Sequence, residues 1–379
     1  MKRYFDSCAT TQADEDVISE MIAVLGEEFY NPSSPYSASS EIRVKILHAR
    51  QSLADVLMCS KEEIIFTSGG TEANNTAILG GLTAIKGKIV TSRTEHASVF
   101  NCMGELQKRG FEVVFAPLNP DGSVKAEGFG ELIDENTVMV ALMHVNNETG
   151  AVSDIKTLCK STKIKNPACV FVCDGVQAFC KLPVNVIDLN VDFYTMSAHK
   201  IHAPKGIGAL YVKKGSRLAP LLFGGEQEKN LRPGTENVPA ICGFGKAVQI
   251  ASSLMKENTV RFIECKKIVT DYLDVHVENY FRISQNSAPH MLVLAFDGVK
   301  SQILLNLMEE KGFFIGSGSA CSTKSAHSRV GQAINLPSGY LDGIARICFS
   351  KYNSCEDVIE LAKELANSVT EVRELVHKI

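Results

Sequence analysis

The stretch Ser197-Ala-His-Lys200 lies between two β-prone runs, residues 193–196 and 207–212, with Pro204 and Gly206 forcing a turn just behind it. A lysine placed after a buried strand, beside a hydroxyl and an imidazole, is desolvated enough to lose its proton. A neutral amine is what a Schiff base with a carbonyl compound requires. Most loop lysines are simply solvated, so other residues must join Lys200 before it means anything. Ser68-Gly-Gly-Thr71 closes a strand-like run, 63–67, and opens a helix-like one, 72–81. That order points unpaired backbone N–H groups at whatever sits in the turn, which suits an anion, although most Gly-Gly turns only redirect the chain. A third candidate is Cys321, within Gly316-Ser-Gly-Ser-Ala-Cys-Ser-Thr-Lys-Ser325. A thiol held by glycines and serines is poorly shielded, unlike one set in an apolar run.

The elements that must position these groups alternate. Strand-like runs at 88–92, 112–116, 137–143 and 169–173 are separated by helix-like runs at 99–109 and 155–163. This β-α-β order predicts an α/β fold with a mostly parallel central sheet covered by helices on both faces. Ligands of such sheets sit beyond the carboxyl ends of the strands. His96, Asn147, Asp174, Gln177 and Lys200 each lie just past an apolar run, so one topological rule brings all five to one edge. Further on, the pattern predicts a helix over 240–254, another near 258–280, a strand over 289–296, a helix over 302–311 and a strand over 313–315. Arg346 follows in the apolar run 344–349, and a helix over 356–377 comes last. We therefore expect a large α/β domain over 15–255 and a smaller α+β domain built from 1–14 and 256–379, which carries Cys321. The glycine-containing polar loop 222–235 is too long for a simple turn and is expected either to carry function or to meet a partner.

At 379 residues, 45% of them hydrophobic, the chain is long enough for both cores. A net charge of −4 gives no footprint for nucleic acid or a membrane surface. No apolar run approaches the roughly 20 residues of a spanning helix, and Met-Lys-Arg-Tyr-Phe-Asp leads into no apolar segment of a secretory signal. Twelve cysteines are scattered without a Cys-x-x-Cys pair, which fits reduced thiols in a cytoplasm. Cys169 and Cys173 share a strand-like run but lack histidine partners at ligand spacing, so they are expected to be core thiols, and no metal site is expected.

Taken in order, the motifs resemble those of the cysteine desulfurases of the NifS and IscS type. These are pyridoxal 5'-phosphate enzymes of the class V aminotransferase family, with transferase fold type I. The resemblance covers nearly the whole chain. It rests on Tyr4-Phe-Asp-Ser-Cys-Ala-Thr-Thr11, Asn31-Pro-Ser-Ser34, Phe66-Thr-Ser-Gly-Gly-Thr-Glu-Ala-Asn74, Glu95-His96, Val145-Asn-Asn-Glu-Thr-Gly150, Asp174 to Gln177, Ser197 to Lys200, Arg232-Pro-Gly-Thr235 and Ser317-Gly-Ser-Ala-Cys-Ser322. It implies that Lys200 holds the cofactor covalently and then shuttles the substrate's α-proton. It also implies that Asp174 pairs with the pyridine nitrogen, so that the ring acts as an electron sink, and that Gln177 bonds the phenolic oxygen. Gly70, Thr71, Ser197 and His199 are implied to hold the phosphate, with Thr235 reaching the phosphate of the other subunit in a homodimer with shared sites. His96 is implied to stack on the ring as an acid/base, and Arg346, helped by Asn147, to bind the carboxylate of L-cysteine. Cys321 is implied to take the sulfur as a persulfide, leave L-alanine, and pass the sulfur to an acceptor protein for iron–sulfur clusters, thio-cofactors or tRNA thiolation.

Some positions depart from the family's pattern. Tyr30, Tyr36, Ser39 and Ala203 stand where Gly, His, Gly and Gly are usual, and Cys348-Phe-Ser350 follows Arg346 in place of Ser-Leu-Gly. The tyrosines are expected to reshape the substrate entrance. The C-terminal extension with which some relatives dock an iron–sulfur scaffold is expected to be missing, so that scaffold is not expected as the partner. The rival activities are selenocysteine lyase and a C–S lyase on the same fold. A rival of another class is a sulfur-relay or scaffold protein without turnover, which would not need Lys200, His96, Asp174 and Cys321 together.

Overall fold

The structure, a computed structural model, describes residues 3–284, 286–318 and 328–377. Cys321 lies outside them. The described strands are β1 (Arg3–Phe5), β2 (Ile64–Thr67), β3 (Lys88–Thr91), β4 (Glu112–Phe115), β5 (Thr137–Met143) and β6 (Val170–Asp174). After these come β7 (Phe193–Ser197), β8 (Gly208–Val212), β9 (Tyr280–Arg282), β10 (Met291–Phe296), β11 (Phe313–Ile315) and β12 (Ile344–Cys348).

Seven strands form the main sheet in the order β2-β8-β7-β6-β5-β3-β4. The pairings among β3, β4, β5, β6 and β7 are parallel, and β8 runs antiparallel to both of its neighbours. β2 is therefore parallel to β7, and the carboxyl ends of β2, β3, β5, β6 and β7 all emerge at one edge. The central strands are near-continuous apolar runs, as double coverage requires. Met139, Val140, Ala141, Phe171, Val172 and Phe193 are all fully buried.

A second core gathers Phe5, Leu294, Phe296, Phe313, Ile347 and Leu361. It is built on the antiparallel sheet β12-β10-β9 and the parallel pair β1-β11. The helix Val238–His276 joins the two cores: Ile241, Phe244 and Val248 pack into the first, and Phe262, Val269 and Leu273 into the second. Two helices were expected here, with a domain boundary near 255. The chain instead runs on as one helix of 39 residues, because Ala251 to Val260 contains no Gly or Pro to stop it. Its apolar window has a mean hydropathy of 1.2, enough by composition for a membrane span, but half of that window is buried inside the fold. The helix expected over 72–81 also differs: an α-helical turn, Gly70–Asn75, passes into a π-helical one, Thr76–Gly80.

Candidate active site

At the edge where the parallel strands end lies a cavity of about 320 Å³. Gly70, Thr71, His96, Asn147, Asp174, Gln177, Ser197, His199, Lys200 and Arg346 all line it. All but Arg346 come from the end of a strand or the segment just past it: Gly70 and Thr71 from β2, His96 from β3, Asn147 from β5, Asp174 and Gln177 from β6, and Ser197 to Lys200 from β7. Arg346 comes from β12 in the second core, so the cavity closes only when both cores are in place.

Lys200 Nζ donates to the carbonyl oxygens of Cys8 at 2.6 Å and Ala9 at 2.8 Å. Burial lowers its pKa to about 8, and the neighbouring Lys181 ammonium pushes the same way. A neutral amine keeps both hydrogen bonds and turns its lone pair to the cavity. Asp174 Oδ1 accepts the Val176 N–H at 3.0 Å and Oδ2 accepts Asn74 Nδ2 at 2.8 Å. Gly175 follows for a steric reason, since a Cβ there would lie 2.0 Å from the Tyr194 ring.

His96 caps the helix Ala97–Lys108 and accepts the Ser98 N–H at its Nδ1. Burial lowers its pKa, with Asp174 opposing. His199 lies against Thr10 Oγ1 at 3.0 Å, and burial takes its pKa down to about 4, helped by the charges of Lys200, Lys205 and Lys181. At the turn after β2, a Cβ on Gly70 would meet Val176 Cγ2 at 2.8 Å. Glycine there keeps backbone N–H groups open to the cavity floor. Arg346 is 3% exposed. Its Nη1 donates to the Asn147 carbonyl at 2.6 Å and its Nη2 to Asp6 Oδ1 at 2.7 Å. Its Nε is buried without a hydrogen-bond partner among the described residues, so the fork retains donors for an incoming carboxylate.

Residues 3–361 match the aminotransferase class-V family. The chain is 38% identical over 372 residues to a protein named cysteine desulfurase IscS from Dictyoglomus turgidum, an overlap of 94% of this chain and 92% of that one. Among solved structures, a NifS-like protein superposes with a TM-score of 0.92 at 32% identity, covering 98% of this chain and 100% of its own. A second, SspA in complex with cysteine, gives a TM-score of 0.81 at 33% identity over 92% and 99% of the two chains. The chain belongs to the aminotransferase class-V family, in its cysteine desulfurase branch.

Its fold is accordingly transferase fold type I, and the family's cofactor is pyridoxal 5'-phosphate. The residues present fit that group. The cavity offers an amine with a pKa near 8, a carboxyl group anchored by two N–H donors, and a glycine turn at which a Cβ would meet Val176. An aldehyde, a ring nitrogen and a phosphate each find a counterpart.

One site residue expected in this desulfurase-family chain does not line the cavity. Thr235 is exposed on the loop after Arg232, while Arg232 itself is bonded to Glu72 at 3.0 Å. Cys321 lies outside the described residues, and of the described segments on either side one meets the cavity-lining Arg346 and the other meets Glu148, next to the lining residue Asn147. Gly316 bridges to Arg346, and Ser328 Oγ donates to Glu148 Oε2 at 3.2 Å. Tyr30 and Tyr36, expected to reshape the entrance, also lie outside the cavity lining. Tyr30 stacks on the exposed Phe29, and Tyr36 is itself exposed.

Sequence reasoning missed several residues. Cys8 was visible only as part of a motif and given no role of its own, yet it lines the cavity and its carbonyl holds Lys200. It packs in one small cluster with Cys348, whose departure from the family's serine therefore lies next to the site. Asn74 and Ser98 also line the cavity, and only their contacts reveal it. Asp6 was visible as part of a motif, but no spacing rule links it to Arg346, 340 residues away.

Proposed function

We propose that this protein is a homodimeric cysteine desulfurase that converts L-cysteine to L-alanine and takes the sulfur onto Cys321 as a persulfide for delivery to an acceptor protein. The observation that carries the reading is the meeting of Lys200, Asp174 and Arg346 in one cavity, each already held by its own hydrogen bonds. When bound, pyridoxal phosphate supplies an electron sink conjugated to the substrate's α-carbon. Arg346 holds the substrate carboxylate through its remaining N–H donors, with Asn147 alongside. Lys200, displaced from the cofactor, takes the α-proton as a neutral amine and returns it later. Asp174 would face the ring nitrogen, its carboxyl group oriented by the Val176 and Asn74 donors. Gly70, Thr71, Ser197 and a neutral His199 hold the phosphate, and Gln177 Nε2, which already donates to the Cys8 carbonyl at 3.0 Å, has a second hydrogen for the phenolic oxygen.

In the sulfur step the Cys321 thiolate attacks the substrate's sulfur. An S–S bond forms, the C–S bond breaks, and its electron pair stays with the three-carbon fragment, which is protonated to alanine. No outside oxidant is needed. The dimer is supported by exposed apolar side chains, with Phe29 at 70% and Phe223 at 91% exposure, the latter in the loop that carries Thr235. It is supported too by an open cleft outside Gly70, Thr71 and His199, into which Thr235 of a second copy would reach. Free thiols at all eleven described cysteines support a reducing, cytoplasmic setting.

The test is to supply L-cysteine and map sulfane sulfur by mass spectrometry. Alanine should appear in step with persulfide on the Cys321 peptide. Cys321→Ser should abolish both, and Cys8→Ala should retain them. Undiminished alanine in Cys321→Ser, or persulfide on Cys8 alone, would sink this assignment and favour a lyase.

A further inference from the structure

Asn74 is 1% exposed and is placed by the helical turn Gly70–Asn75 between the two groups that flank the expected cofactor ring. Its Nδ2 donates to Asp174 Oδ2 at 2.8 Å and to Ser98 Oγ at 2.9 Å. Its Oδ1 accepts from Thr195 Oγ1 at 2.8 Å, and Thr195 is the register partner of Asp174 on the neighbouring strand. Ser98 Oγ in turn lies 2.8 Å from His96 Nδ1, and the Ser98 backbone N–H donates to that same nitrogen at 3.1 Å.

Each direction in this network follows from what the groups can do. Both Asp174 oxygens accept, Oδ1 from the Val176 N–H and Oδ2 from Asn74 Nδ2, so the NH2 side of Asn74 faces Asp174 and its oxygen faces Thr195. Both amide hydrogens are then committed. A backbone N–H only donates, so His96 Nδ1 must present its lone pair. The hydrogen of the neutral ring therefore sits on Nε2, which receives no hydrogen bond among the described residues and belongs to a ring lining the cavity. Burial, which disfavours the imidazolium here, leaves this neutral tautomer as the form at rest.

We propose that Asn74 and Ser98 are positioning residues that tie Asp174 and His96 into one hydrogen-bonded unit, holding His96 as the Nε2–H tautomer so that it presents a proton, not a lone pair, to the cavity. The proposal rests on the desulfurase reading, in which Asp174 and His96 face the cofactor, and deepens it. His96 begins the cycle as a proton donor, and the first proton abstraction falls to Lys200. The network also explains why an asparagine amide is tolerated in a fully buried place: three of its four hydrogen-bonding capacities are met, two of them by groups at the site.

The decisive measurement is nitrogen NMR of the holoenzyme labelled with ¹⁵N-histidine, with the His96 signals identified by their loss in His96→Gln. We expect an unprotonated Nδ1 and a protonated Nε2. Ser98→Ala should move the Nδ1 resonance toward that of an unbonded nitrogen, and Ser98→Thr, which restores a hydroxyl, should move it back. In kinetics, Asn74→Leu, a change of similar volume, should lower kcat by roughly ten- to a hundredfold, the range for a hydrogen bond to a charged group. KM for cysteine should stay within about threefold. Combined with His96→Gln, its effect should fall short of the product of the two single effects, as for residues acting as a unit.

A hydrogen found on Nδ1 in the wild type, or single effects that multiply independently, would overturn the proposal while leaving the desulfurase reading intact if wild-type enzyme still makes alanine. Wild-type enzyme that makes no alanine from cysteine would remove that reading, and this proposal with it.

Discussion

Lys200 offers a prediction whose size follows from its surroundings. Its amine captures the cofactor only as the free base, and burial together with Lys181 brings its pKa from 10.5 to about 8, against the opposing influence of Cys8 and Asp6. At pH 7.5 such an amine is about one quarter neutral, whereas an unperturbed lysine is neutral to about one part in a thousand, a gain of roughly 200-fold. The sign is that capture speeds up as pH rises and levels off once the pKa is passed. Between pH 7 and pH 9 the neutral fraction rises only about tenfold, from about 9% to about 91%. An unperturbed lysine would gain about a hundredfold over the same span. The assay is the rate of appearance of the visible absorbance when apoenzyme is mixed with pyridoxal phosphate, measured above pH 6.5 so that the phosphate's own ionisation near 6 does not interfere. We expect a bend near pH 8 in the logarithm of the rate. Lys181→Met removes the nearest ammonium and should move that bend upward. A rate that climbs with unit slope through pH 9.5 would refute the claim that burial activates Lys200.

Two other outcomes are expected. Asp174→Ala should still bind cofactor but lose about three or more decades in kcat, several kcal/mol of barrier; a loss below tenfold, read from alanine release, would mean that Asp174 does not serve the ring nitrogen. Thr235→Val should weaken cofactor binding at least several-fold while the protein still sediments as a dimer, and a fully active monomer at working concentration would end the shared-site reading.

Much of this protein was legible from sequence because parallel sheets obey a strong rule. A residue just past an apolar strand arrives at the ligand edge whatever the details of packing. His96, Asn147, Asp174 and Lys200 could be named together on that ground. Their families of motifs then pointed to the same chemistry, and the overall match over residues 3–361 agrees with it.

What sequence could not decide are matters of which face and which neighbour. Asn74 and Asn75 are adjacent and chemically identical, yet one bonds Asp174 and the other bonds the Thr71 carbonyl. A rotation of about 100° per residue around the helix separates them. Cys8 reads like any small buried thiol until the path from β1 to His199 lays it beside Lys200. Asp6 and Arg346 meet only because β1 pairs with β11, a contact between segments more than 300 residues apart, and Gly316 just past β11 bridges β12. The residue types, their order and the strand-end rule were local properties of the chain. The burial that lowers the pKa of Lys200 and the Asn74 amide that ties Ser98 to Asp174 depend on segments far apart in the chain, and only the tertiary structure brings them together.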